Sequence, residues 1–243
     1  MDKDLLYTLR WYLNHWDADS KKEALKIMSV LLEERTPGKT IPKDTRVIPP
    51  GKSGPSGRVA VVIGHNSKNK GAYAKGDFNQ FEYEFNGDVA KIIAARAWNG
   101  LDVKIFRRWY SGSYASEIKK VYSSVNAWNP DFVLELHFNS SPGGYYSFML
   151  YHHASSKSKA VAKIVNDTFI AATGFASKQQ NAAKKSGDRG YLSLASARAP
   201  AVLTEPFFES NSSHMAKINS LGHSGMANLY LDAIRNVLAA GVL

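Results

Sequence analysis

The chain has 243 residues, 44% of them apolar, and a net charge of +10. That is enough for one medium domain with its own core plus a small appendage, and it excludes a disordered chain. There is no cysteine, which excludes disulfides, thiolate-held zinc and a cysteine nucleophile, so any metal ligands must come from His, Asp and Glu.

No apolar run reaches 18 residues, so no transmembrane helix is expected. Met1-Asp2-Lys3-Asp4 does not read as a secretory signal, which predicts synthesis in the cytoplasm and action there or after release by a route that needs no signal. Through Gly57 ten Lys/Arg stand against eight Asp/Glu, and beyond it 21 stand against 13, so the basic excess lies in the larger part. Such a surface suits a polyanion: nucleic acid, anionic lipid or an anionic wall polymer. No groove-reading helix or stacking platform accompanies it, so no nucleic-acid partner is expected.

In chain order, Leu5, Leu6, Leu9, Leu13 and Trp16 share one helical face, and Ala24, Ile27, Met28, Leu31 and Leu32 share another. Ser20-Lys21-Lys22-Glu23 fits a capping box, and Asp17-Ala18-Asp19 turns between the two segments. Residues 1–35 thus predict a helical hairpin, too small to hold a core of its own. Its apolar face packs on the main domain or targets a wall or membrane surface. Residues 36–57 carry five prolines and four glycines and read as a semi-stiff linker.

From Arg58 to the C-terminus, residues 58–243, strands and helices alternate. Strands are predicted over 59–64, 101–106, 131–137, 145–151 and 201–205, and helices over 79–98, 114–127, 156–171 and 222–239. The polar stretch 173–189 reads as a surface loop. The alternation predicts an α/β fold with a mostly parallel central sheet and helices on both faces.

Three of these strands end in chemistry. Val59–Ile63 runs into Gly64-His65, Phe132–Leu136 into His137, and Ala201–Thr204 into Glu205. The carboxyl ends of parallel strands are where α/β sheets gather catalytic groups. Glu82 and Glu84 begin the helix that follows the first strand, where the helix dipole favours a carboxylate. Two imidazoles with a carboxylate suit catalytic zinc, which takes three protein ligands and leaves a position open. Hydrogen-bonded histidines at strand ends are the plain alternative. His152 and His153 fall on opposite faces of a strand, His214 and His223 read as surface, and His15 sits near the end of an N-terminal helix.

The motifs Gly64-His65, Gly71-Ala72, Glu82-x-x-x-Asn86, Leu136-His137-x-Asn139 and Pro200–Glu205-x-x-Phe208-x-x-Asn211 occur in that order. In this the chain resembles the zinc-dependent N-acetylmuramoyl-L-alanine amidases of the Amidase_3 type, from about Arg58 onward. The resemblance implies zinc ligands His65, Glu82 and His137, Glu205 as catalytic carboxylate, and hydrolysis of the amide between the muramoyl lactyl group and L-alanine of peptidoglycan. Glu84 competes with Glu82 for the ligand role; the spacing to Asn86 favours Glu82. Val62-Ile63 and Asn66-Ser67-Lys68 depart from the residues usual around the first histidine, and Glu135 stands where many members have Ser. Strand alternation puts Glu135 on the face of His137, as a group orienting that imidazole or as a solvated acid.

Size, charge and the lack of a signal fit a bacteriophage endolysin acting at the wall. Two other functions fit the same residues. One is a zinc peptidase cutting within the stem peptide; the other is a catalytically inactive wall-binding protein.

Overall fold

The computed structural model describes residues 54–177 and 182–243. The hairpin expected over 1–35 and most of the linker expected over 36–57 lie outside the described residues. The strands are β1 (Gly57–Ile63), β2 (Tyr73–Ala74), β3 (Gln80–Phe81), β4 (Leu101–Arg107), β5 (Phe132–Leu136), β6 (Tyr146–His152), β7 (Ala176–Ser177), β8 (Ala182–Lys184) and β9 (Ala201–Glu205). The helices are α1 (Glu82–Ala95), α2 (Tyr114–Trp128), α3 (Ser156–Thr173), α4 (Tyr191–Ser196) and α5 (Ser212–Ala239).

The fold is the expected α/β type. The central sheet has the order β4-β1-β5-β9-β6, with short β7 and β8 both on the free edge of β6. β4, β1, β5 and β9 are parallel, and β6 runs antiparallel to β9. The chain leaves β1 for β4 on one side and returns to β5 on the other. That reversal opens a crevice at the carboxyl ends of β1 and β5, the place where such sheets bind ligands. Register carries the functional residues to it: Ile63 pairs with Leu136, and Leu136 with Thr204. His65, His137 and Glu205 therefore emerge from three neighbouring strands at one level.

Both faces of the sheet are covered, which is why β1 is apolar from Val59 to Ile63 rather than alternating. Val59, Val61 and Ile63 pack into a core shared with α1, α3 and α5; Ala60 and Val62 face a second core built with α2 and α4. Phe85 anchors α1 one turn beyond Glu82. It is fully buried, edge-on to Phe78, Phe138 and Phe207 at 4.9, 5.7 and 5.8 Å.

Several boundaries differ from the sequence expectation. The helix expected over 79–98 starts at Glu82, because Gln80–Phe81 pairs with Tyr73–Ala74 instead. The stretch 173–189 is not simply a surface loop: it adds β7 and β8 to the sheet edge. The last helix begins at Ser212, ten residues before the expected 222, and breaks its helical geometry only at Gly222 (φ 62°). Asn211 caps it, accepting from His214 N–H at 3.0 Å. No helix among the described residues is long and apolar enough to cross a membrane.

Deleting the Phe85 ring removes the contact that seats α1. Phe85→Ala is expected to lower unfolding free energy by about 3–5 kcal/mol, measured by denaturant titration; a loss below about 1 kcal/mol would show that α1 is seated by other contacts.

Candidate active site

His65 and His137 meet with ring centroids 4.9 Å apart, at 68° to one another. Glu82 lies between them. Its Oε1 is 2.8 Å from His137 Nδ1 and accepts from Phe138 N–H at 3.1 Å; its Oε2 is 3.0 Å from His65 Nε2 and accepts from Ala72 N–H at 3.2 Å. The loop after β1 delivers this carboxylate, since Glu82 N–H donates to Ala72 C=O and Tyr83 N–H to Lys70 C=O. One donor atom from each of His65, Glu82 and His137 lies within 4.8 Å of the others, a group able to hold a metal ion. Glu84, the alternative on the same helix turn, pairs with Lys70 instead.

Close approach depends on two glycines. A Cβ on Gly64 would meet the His137 ring at 2.4 Å. At Gly71, whose φ is +81°, it would lie 2.5 Å from Glu82 Oε2 and 2.7 Å from His65 Nε2. His65 itself takes a left-handed φ of 64°. Asn66 holds that turn, its Oδ1 accepting from the Lys68 and Asn69 N–H groups at 2.9 Å each.

Burial raises the Glu82 carboxyl, but hydrogen bonds from His137 and His65 outweigh it and bring its pKa to about 2. His137 shows the converse. Burial lowers it, yet Glu135 and Glu82, one on each ring nitrogen, raise it to about 10. The two buried carboxylates thus demand positive charge between them.

Glu205 closes β9 and lines the same cavity, which measures about 880 Å³ and also takes in Tyr114, Lys184 and Arg189. Its Oε2 is buried and makes no hydrogen bond among the described residues. Burial raises its pKa to about 7, with the Glu82 charge adding to the rise and His137, Arg189 and Lys184 opposing it. A carboxyl group poised near neutrality can both take and give a proton.

The structure corrects the reading of some other histidines. His214 is buried, not surface: it stacks on Phe175 at 3.8 Å and its Nδ1 accepts from Phe208 N–H at 3.1 Å. Cap formation at Asn211 turns the Ser/Asn-rich segment into helix and carries His214 inward. His223 is half-buried against Phe78 and Phe85, 2.8 Å from Gln80 Oε1. His152 ends β6, so the alternation stops there, and its ring lies 4.6 Å from that of His153 rather than across the sheet from it. His15 lies outside the described residues. Sequence reading did not pick out the buried set Arg108, Glu117, Tyr122 and Ser193 beside Glu135, because Tyr122 sits on the apolar face of its helix and a basic residue after a strand looks solvated.

A reversing parallel sheet that gathers two histidines, a bridging carboxylate and a second, neutral-poised carboxylate at one crevice has the makings of a hydrolase site. The chain belongs to the N-acetylmuramoyl-L-alanine amidase family (Amidase_3), which matches residues 59–236. Among solved structures it is similar to the catalytic domain of an endolysin targeting Clostridia difficile, at 28% identity over 73% of this chain and 96% of that one, with a TM-score of 0.58. It shares its fold with N-acetylmuramoyl-L-alanine amidase from Clostridium difficile 630 (18% identity, 76% of this chain, 98% of that one, TM-score 0.61). The catalytic domain of CwlV from Bacillus (Paenibacillus) polymyxa var. colistinus also has this fold (23%, 75%, 98%, 0.59). No curated protein sequence matches the chain. Family membership supports amidase activity on peptidoglycan of the cell wall.

Glu205 is predicted to cost stability at neutral pH. Its folded pKa of about 7 lies above the ordinary 4.5, so the folded state binds the proton more tightly than the unfolded one. The stability linked to it is complete below pH 4.5 and falls as pH rises through about 7. In chelator-treated protein, Glu205→Gln is therefore expected to match the parent below pH 4.5 and to exceed it above pH 7 by on the order of 3 kcal/mol, read from melting curves. A gap that shrinks as pH rises would contradict the burial of this carboxyl.

Proposed function

We propose that this chain hydrolyses the amide joining the lactyl group of N-acetylmuramic acid to L-alanine in peptidoglycan. His65, Glu82 and His137 would hold zinc, and Glu205 is the proton-transfer group. The observation that carries the reading is the convergence of those three donors within 4.8 Å beside the unbonded, buried Oε2 of Glu205. The donor set fits zinc in number and kind, being two imidazoles and one carboxylate. It also fits in charge, because a divalent cation would satisfy the demand that Glu82 and Glu135 create around His137. Bound zinc supplies Lewis-acid polarisation of a carbonyl and activation of water at neutral pH.

The protein's own groups do the rest. In the metal-free chain the two Glu82 oxygens face His65 Nε2 and His137 Nδ1, the atoms that would turn to the metal. Glu205, with a pKa of about 7, accepts a proton from the attacking water and returns it to the departing amine nitrogen of L-alanine. The cavity of about 880 Å³ has room for the sugar–peptide junction. The basic excess beyond Gly57 favours residence on an anionic wall, with an attraction that salt weakens. The 28% identity to an endolysin catalytic domain supports the further reading that the enzyme is a bacteriophage endolysin, released to the wall after synthesis in the host cytoplasm.

Purified wall digested with the protein is expected to yield free lactyl ends on the glycan and new L-alanine amino termini by mass spectrometry. New termini within the stem peptide would make it an endopeptidase. Treatment with a chelator is expected to abolish lysis, and added zinc to restore it; lysis that persists without metal would overturn the zinc reading. His65→Ala and His137→Ala are expected to lose both zinc and activity. Glu205→Gln is expected to keep zinc while lysis falls about 10²–10⁴-fold.

A further inference from the structure

Glu135 lies behind His137, 1% exposed, and every contact it makes is directed. Oε2 accepts from the Tyr122 hydroxyl at 2.6 Å. Oε1 is 3.1 Å from His137 Nε2, accepts from Ser193 Oγ at 3.3 Å, and lies 3.7 Å from the Arg108 guanidinium. Arg108 is itself buried and reaches Glu117 Oε2 at 3.3 Å; the same oxygen accepts from Asn66 Nδ2 at 2.8 Å. A continuous buried chain thus runs from Asn66, next to His65, through Glu117, Arg108 and Glu135 to the ring of His137.

The ring has two ends, and they are differently committed. Nδ1 faces Glu82, as does Nε2 of His65, so these are the nitrogens turned toward the shared donor group. Nε2 of His137 is left to Glu135. A carboxylate on that nitrogen holds its proton there and keeps the Nδ1 lone pair free for a cation.

We infer that Glu135 is a positioning residue for the metal: held by Tyr122, Ser193 and Arg108, it fixes the tautomer and angle of His137, and through Arg108, Glu117 and Asn66 the same chain steadies the His65 turn. This rests on the metal reading proposed above. A solvated acid or a purely structural ion pair would leave metal affinity alone. A buried carboxylate at this nitrogen raises the basicity of the ligand and restricts its rotation, and losing such a partner characteristically weakens metal binding about 10–100-fold.

The test is zinc affinity, measured on the full chain by competition with a chromophoric chelator well below the melting temperature, alongside the melting temperature of the metal-free form. Glu135→Gln preserves shape and removes the charge; zinc is expected to bind about 10–100-fold more weakly to it. Tyr122→Phe keeps the ring in the core and removes only the bond to Oε2; a loss of roughly 2–10-fold is expected. If Glu135→Gln fails to fold, Tyr122→Phe decides, and unchanged affinity in it overturns the inference. A Glu135→Gln variant that melts earlier yet binds zinc within about twofold of the parent also overturns it, while leaving the metal site standing. A parent chain that binds no zinc overturns the metal reading, and this inference with it.

Discussion

The Glu82 carboxylate is the constraint on which the site depends. Its two oxygens each face one imidazole and accept one backbone N–H, so four partners arriving from three parts of the chain converge on a single group. The rest of the local structure reads as what that convergence requires. The parallel pairing of β1 with β5 brings the two histidines level, and the β2–β3 pairing places the start of α1 over them. Gly64 and Gly71 omit the Cβ atoms that would occupy the space of the rings and the carboxylate.

Such a centre is costly to bury. Glu82, Glu117, Glu135, Arg108 and His137 are all 8% exposed or less, and an unpaired charge there would be strongly destabilising. The structure answers with mutual pairing rather than solvent. Each carboxylate meets a cation or an N–H donor, and His137 stands between two of them. Glu205 differs, with a buried oxygen that makes no hydrogen bond among the described residues and its pKa near 7. An oxygen without a hydrogen bond among the described residues is open to a reactant, as the proposed proton-transfer role requires. With Glu205 as the proposed proton-transfer group, stability and activity would oppose one another at this residue.

Much of this was legible in the sequence because its signals are long or local. β1, β5 and β9 are mostly apolar runs, and their ends at His65, His137 and Glu205 could be read directly, as could the α/β class. The parts that escaped were of two kinds. β2, β3, β7, β8 and α4 have two to six residues each, too short for any periodicity to declare itself. Arg108, Glu117 and Tyr122 gather around Glu135 only through tertiary contact, and each taken alone looks like an ordinary surface charge or core aromatic. His214 combines both difficulties: its burial follows from the Asn211 cap and from Phe175, 39 residues earlier in the chain. Glu135, by contrast, was visible by strand alternation, but the partners that hold it were not.

The space bounded by His65, Glu82 and His137 is proposed as a zinc site. Anomalous diffraction at the zinc absorption edge, from crystals of the zinc-loaded protein, tests it most directly. One strong peak within coordination distance of His65 Nε2, a Glu82 oxygen and His137 Nδ1, with His137 Nε2 still facing Glu135, is the predicted result. A peak elsewhere on the chain, or coordination through His137 Nε2 with Glu135 displaced, would contradict it.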